Sequence, residues 1–117
     1  MINEIIEDAF ANFTVGGKSI PVAFLQYTGK SNSYVTYMQT DVDQVLSSDD
    51  DIENYIDFYD FDIYTKGDNY FAIIEAVKLK LKANGFSWQP TRDSGDLFEP
   101  DTGFYHKTLC FAIERSN

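Results

Sequence analysis

Asp60 and Asp62 stand two apart in residues 54–65 (NYIDFYDFDIYT), a stretch with three aspartates and no cation. A D-x-D pair can bind Mg²⁺ or Ca²⁺ through carboxylate oxygens. Such a site needs further oxygen ligands in a fixed loop, and no EF-hand spacing is present. The competing reading is a strand with one solvated face, and no metal or other cofactor is expected. His106 is the only histidine, and Cys110 the only cysteine. A Ser-His-Asp or Cys-His arrangement would have to use His106, and nothing around it in the sequence recommends one. A core cysteine beside a half-buried histidine is the commoner case. Carboxylates are abundant, so a glycosidase-like pair has no distinguishing signal. Residues 15–19 (VGGKS) lack the spacing of a phosphate-binding loop. The chain therefore reads as non-enzymatic.

These residues must be positioned by strands. As a strand, 55–64 puts Tyr55, Asp57, Tyr59, Phe61 and Ile63 on one face, and Ile56, Phe58, Asp60, Asp62 and Tyr64 on the other. The apolar phase changes near Tyr59–Phe61. A bulge or twist there is expected to keep both halves buried on one side and to leave Asp60 and Asp62 on the wet face. In residues 104–114, Tyr105, Leu109, Phe111 and Ile113 oppose His106, Thr108, Cys110 and Ala112 in the same way. Residues 33–40 (SYVTYMQT) read as a strand, and 20–27, opening on Pro21, as an edge-like one. Residues 41–51 read as a polar, acidic connection pinned by Val42, Val45 and Leu46. Residues 86–89 start a short strand, and 90–101 form a loop or hairpin arm.

Two helices accompany the strands. Ile2, Ile5, Ile6, Ala9, Phe10 and Phe13 recur at helical spacing, with Gly16-Gly17 as the expected end. Residues 69–84 form the second, with Asp68 or Asn69 as cap and Asn84-Gly85 as stop. Its core stripe is Tyr70, Ile73, Ile74, Val77 and Leu81. A second stripe, Ala72, Ala76, Leu79 and Ala83, needs a cover from the first helix or from a neighbouring subunit. The expectation is one α+β domain over residues 1–117, with two main helices packed on an antiparallel or mixed sheet.

The 117 residues are 44% hydrophobic and 16% aromatic, enough for one core. The net charge of −10 is segregated: residues 31–65 hold no Lys or Arg and nine acids, while 1–30 sum to −1 and 66–117 to zero. Such a block repels phosphate backbones, so no nucleic-acid binding is expected, sequence-specific or otherwise. It is either a solvated face that keeps the protein soluble or a contact with a cationic patch. On the second reading Asp49, Asp50, Asp51, Asp60 and Asp62 form one half, and Lys78, Leu79 and Lys82 the other. No apolar run approaches the ~18 residues of a membrane span. The first ten residues carry acids where a signal peptide has Lys or Arg, and a lone cysteine allows no internal disulfide. A soluble protein of a reducing cytoplasm is expected.

Residues 96–113 (DLFEPDTGFYHKTLCFAI) carry an E-x-D-T-G-x-Y-H turn leading into the last strand. Upstream lie YVTYMQTD at 34–41 and IDFYDFDIYTKGDNYFAIIEAVKLKLKANGF at 56–86. In this order, after a short helix, the segments resemble the tail terminator, or tail completion, family of long-tailed phages and prophages. The resemblance implies a structural virion protein without enzymatic activity. Its subunits would form a ring, often a hexamer, that caps the tail tube at its head-proximal end and helps join tail to head. The implied partners are further copies, the tail tube protein and head-tail connector proteins, with no membrane. The implied location is the virion tail, reached from the host cytoplasm. The acidic connection at 41–51 departs from many members. A second class fits the same composition: an acidic inhibitor of a phage or prophage that mimics DNA charge and binds a nuclease or repressor.

Overall fold

The first helix is short because Asn12 takes a left-handed backbone, φ 56, which ends helical winding. α1 spans Ile2–Ala9. Gly16-Gly17 does not terminate it, contrary to the expectation above. The two glycines, φ 59 and φ 79, form the two-residue turn of a small hairpin between β1 (Thr14–Val15) and β2 (Lys18–Ser19). Two successive positive φ values are what a tight hairpin turn of this hand requires. The computed structural model describes residues 2–46 and 52–116, with Ile52 and Glu53 as backbone alone.

β3 (Val22–Phe24), β4 (Ser33–Leu46), β5 (Ile52–Thr65), β6 (Ser87–Trp88), β7 (Leu97–Glu99) and β8 (Phe104–Ser116) form one mixed sheet. Its order is β3-β4-β5-β8-β6, and β7 pairs with β8. β3 runs parallel to β4, and the remaining pairs are antiparallel. α2 (Tyr70–Ala83) buries Tyr70, Ile73, Ile74, Val77 and Leu81, the expected stripe. Its C-terminus closes through Gly85 N–H to the Lys82 carbonyl and Phe86 N–H to the Leu81 carbonyl, with Gly85 at φ 89. That is the paired bonding a left-handed glycine makes available. The Asn69 side chain does not cap α2; its Oδ1 accepts from Thr65 Oγ1 at 3.2 Å.

Both helices pack on the same face of the sheet. Ile6 of α1, Phe10 just after it, and Ile73 and Val77 of α2 share a core with Val35, Tyr37, Phe61, Ile63, Leu109 and Phe111. A smaller cluster, Phe58, Cys110 and Ala112, lies on the other face. No helix among the described residues is long and apolar enough to cross a membrane.

Three local expectations are corrected. Residues 41–46 are not a connection: they continue β4, paired from Asp41↔Phe58 to Leu46↔Ile52. The bulge is not in β5 at Tyr59–Phe61, since β5 pairs with β8 without interruption from Asn54↔Ser116 to Thr65↔Tyr105. Against β4 the register shifts twice, between Gln39 and Asp41, where the extra residue is Thr40, and again between Val45 and Leu46 near the strand's end. β5 therefore needs no phase change, because it lies between two strands and both its faces are covered. Phe58 buries on the second face, and Asp60 and Asp62 there are half-buried rather than wet.

Candidate assembly surface

The molecule measures 52 × 27 × 23 Å, and its length lies in the sheet. At one end of the sheet 41–46 of β4, 54–58 of β5 and 112–116 of β8 run on. The first row still belongs to the body through the buried Phe58 and Ala112, the latter paired with Ser87, and past it the sheet is a three-stranded extension. Directly opposite residues share a face. On the helix side the rows are Val42, Asp57, Ile113 and Gln44, Tyr55, Arg115. On the far side they are Asp41, Phe58, Ala112 and Asp43, Ile56, Glu114. The described side chains of β4 from Met38 on are mostly exposed, with Val42 at 45%.

Where the extension leaves the body, a groove of about 780 Å³ opens beside α1. Ile2 and Ile5 form one wall, Phe24 and Leu25 another, and Gln39, Asp57 and Tyr59 belong to the sheet beneath. Asp57 is only 2% exposed. Its carboxylate accepts from Arg115 Nε at 2.6 Å and from Gln39 Nε2 at 3.1 Å. The Arg115 guanidinium also covers the Tyr55 ring at 4.3 Å. Tyr59 donates to Asn3 Oδ1 at 3.2 Å, which ties α1 to the sheet. Burial raises the Tyr59 hydroxyl pKa, and the Asp57 charge adds to it.

The far face gathers the residues singled out for chemistry. Asp62 Oδ1 accepts from Thr108 Oγ1 and lies 3.3 Å from His106 Nε2. His106 stacks on Tyr64 at 4.2 Å between centroids. Burial, then the neighbouring Asp62 charge, raises the Asp60 carboxyl above its ordinary range, and a bond from the Cys110 thiol offsets part of this. Burial and the Asp60 charge push the Cys110 thiol up to about 11. The nucleophilic thiolate is thereby disfavoured near neutral pH. Asp93 is occupied by the Cys110 N–H at 2.8 Å and by Trp88 Nε1 at 2.9 Å. Among the described residues, no group of three or more His, Cys, Asp and Glu is placed to hold a metal ion. The D-x-D pair is thus engaged with strand neighbours, in a polar layer between β5 and β8.

Asp49, Asp50 and Asp51 lie outside the described residues. Lys78, only 14% exposed in its side chain, sits 3.9 Å over the Trp88 ring and 3.5 Å from Glu75. Lys82 flanks the same ring at 5.6 Å. Leu79 is 69% exposed and borders a shallow groove with Ala76, Ala83 and residues 11–14. α1 therefore leaves most of the second stripe uncovered. The sequence reading did not single out Asp57 or Arg115 as functional candidates. The signal was one carboxylate in phase with Tyr55, Tyr59, Phe61 and Ile63. No protein-family model matches the chain, and no curated protein matches it.

Proposed function

We propose that this protein is a non-enzymatic assembly subunit, and that its place is the head-proximal end of a phage tail tube. The observation that carries the reading is the three-stranded extension. Ordering each residue of such an element costs roughly 1–2 kcal/mol of backbone entropy. Exposed side chains such as Val42 and Gln44 return little of that within the chain itself. A strand prolonged past its own core is accounted for when a neighbour completes its burial. The tail-terminator resemblance supplies the setting: a ring that stops tube growth and presents a surface to the connector. The acidic block suits a ring through which DNA passes, since like charge keeps the backbone from adhering.

Co-expression with a phage tail tube protein tests the reading. Negative-stain images should show tubes ending at a defined length with this protein at one end, and overgrown tubes in its absence. Tubes of the same length distribution with and without it would overturn the reading. The exposed acids Asp41, Asp43 and Glu114 on one face of the extension also favour a DNA-mimicking inhibitor. That alternative predicts a stoichiometric complex with a nuclease or repressor and no effect on tubes.

A further inference from the structure

β4 has two partners for only part of its length. β3 covers its outer edge at Val35, Thr36 and Tyr37, and Leu25 N–H closes that ladder on the Tyr37 carbonyl at 3.0 Å. Leu25 then turns the chain away, at φ 66, a conformation uncommon for a residue other than glycine. From Met38 to Leu46 no described residue pairs with the outer edge, while β5 occupies the inner one. Val35 and Tyr37 direct their ladder groups toward β3. Alternation, shifted once by the extra Thr40, turns those of Val42 and Gln44 outward. The Val42 N–H has a substitute acceptor, Asp41 Oδ1 at 2.8 Å. Asp41 Oδ2 lies 3.5 Å from Arg92.

We propose that this outer edge of β4 accepts an extended cationic segment of a partner protein as an added strand. Main-chain hydrogen bonds give such additions affinity, and alternate side chains give them specificity. Here the alternation is explicit. Val42 and Gln44 face the helix side, Asp41 and Asp43 the other. No Lys or Arg lies anywhere in residues 31–65. The matching strand carries apolar residues on one face and Lys or Arg on the other. A second copy of this chain is a poor occupant. Antiparallel pairing of two β4 edges about Val42 sets Asp41 opposite Asp43, and like charges directly opposite destabilise a sheet. Asp41 is the group that changes partner: an incoming carbonyl takes the Val42 N–H, and the released carboxylate oxygen meets the incoming cation. The biological identity of the partner rests on the assembly reading; the open edge does not.

The test uses the whole nitrogen-15-labelled chain and a short acetylated peptide alternating Lys with Val. Two controls are its Glu-for-Lys counterpart and the same Lys peptide N-methylated at alternate residues. The Lys peptide should slow exchange of the Val42 and Gln44 amides, and bind at least about tenfold more tightly than either control. Raised salt should weaken it. Equal binding of the N-methylated peptide overturns strand addition, and equal binding of the Glu peptide overturns the charge assignment. Protection that appears elsewhere and spares Val42 and Gln44 overturns the site. Val42→Pro removes an outward donor without touching the β5 ladder, and should abolish binding with the far-ultraviolet spectrum retained. Should that variant fail to fold, the N-methylated peptide makes the same test on the wild type. Peptide binding with unchanged tube lengths would leave strand addition standing and remove the tail-tube reading. Normal capping without protection of β4 would do the reverse.

Discussion

Asp57 and Arg115 form a diagonal pair across β5 and β8: the register sets Asp57 opposite Ile113, yet its carboxylate takes the Arg115 Nε–H at 2.6 Å. Arg115 lies directly opposite Tyr55 and covers its ring. One guanidinium thus closes a buried carboxylate and an aromatic face at the root of the extension.

Removing that guanidinium leaves Asp57 with only Gln39. Arg115→Gln is expected to lower unfolding free energy by about 2 kcal/mol. That is below the figure for a fully buried pair, because Arg115 is 44% exposed in its side chain. Urea denaturation measures it, and a cycle with Asp57→Asn should give a coupling of about 1 kcal/mol. Strict additivity would show that the two do not interact.

Asp60 has its carboxyl raised in the folded state by burial and by Asp62. The folded chain therefore holds a proton that the unfolded chain releases near 3.8. Between that value and the higher folded one, stability falls as pH rises. Asp60→Asn should stabilise the protein at neutral pH, and the gain should shrink to nothing as the pH is lowered through this window. Thermal melts at a series of pH values check it; a gain that persists in acid refutes the assignment.

The lysines of α2 should separate by their contacts. Lys78→Glu loses the Trp88 face and gains a like charge beside Glu75. It is expected to cost about 1 kcal/mol and to shift the emission of the only tryptophan. Lys80→Glu, at an exposed position without such contacts, should leave both unchanged within about 0.5 kcal/mol.

Leu79→Asp probes the uncovered stripe. With Leu79 69% exposed, folding stability should change by less than about 0.5 kcal/mol. A loss above about 2 kcal/mol would mean that α1 covers it after all. Sedimentation at high protein concentration gives the second readout, and a drop in self-association at unchanged stability would assign the stripe to a neighbour.

Cys110 is buried, with its thiol pushed up to about 11. Disulfide-exchange reagents at about pH 8 should modify it only as fast as the chain opens, so denaturant should accelerate labelling greatly. Rapid labelling of the native protein would expose a reactive site that the structure does not contain.

The sequence by itself determined the α2 stripe, the β8 faces and the α+β class. Each rests on short-range periodicity, 3.6 for Tyr70 to Leu81 and 2 for Leu109 to Ala112, which sets the side chains that share a face. That both faces of 109–112 are buried was decided by the packing on the second face. Gly16-Gly17 was legible as a break but not as a hairpin, because positive φ at both residues suits either a helix end or a tight turn. Tertiary structure decided the rest. The acidic run at 41–46 is strand because β5 supplies its ladder from residues far along the chain, a pairing that no local propensity encodes. Asp60 and Asp62 are half-buried because Asp93 and Ser94 line the outer edge of β8, bonded to the Cys110 and Thr108 N–H groups, and Arg92 reaches from there over the second face to the Phe58 ring and Asp41. Asp57 stands in the core phase of its strand, so alternation alone buries it. The diagonal reach of Arg115 from the chain's last strand, with Gln39 as second donor, offsets the cost of that burial.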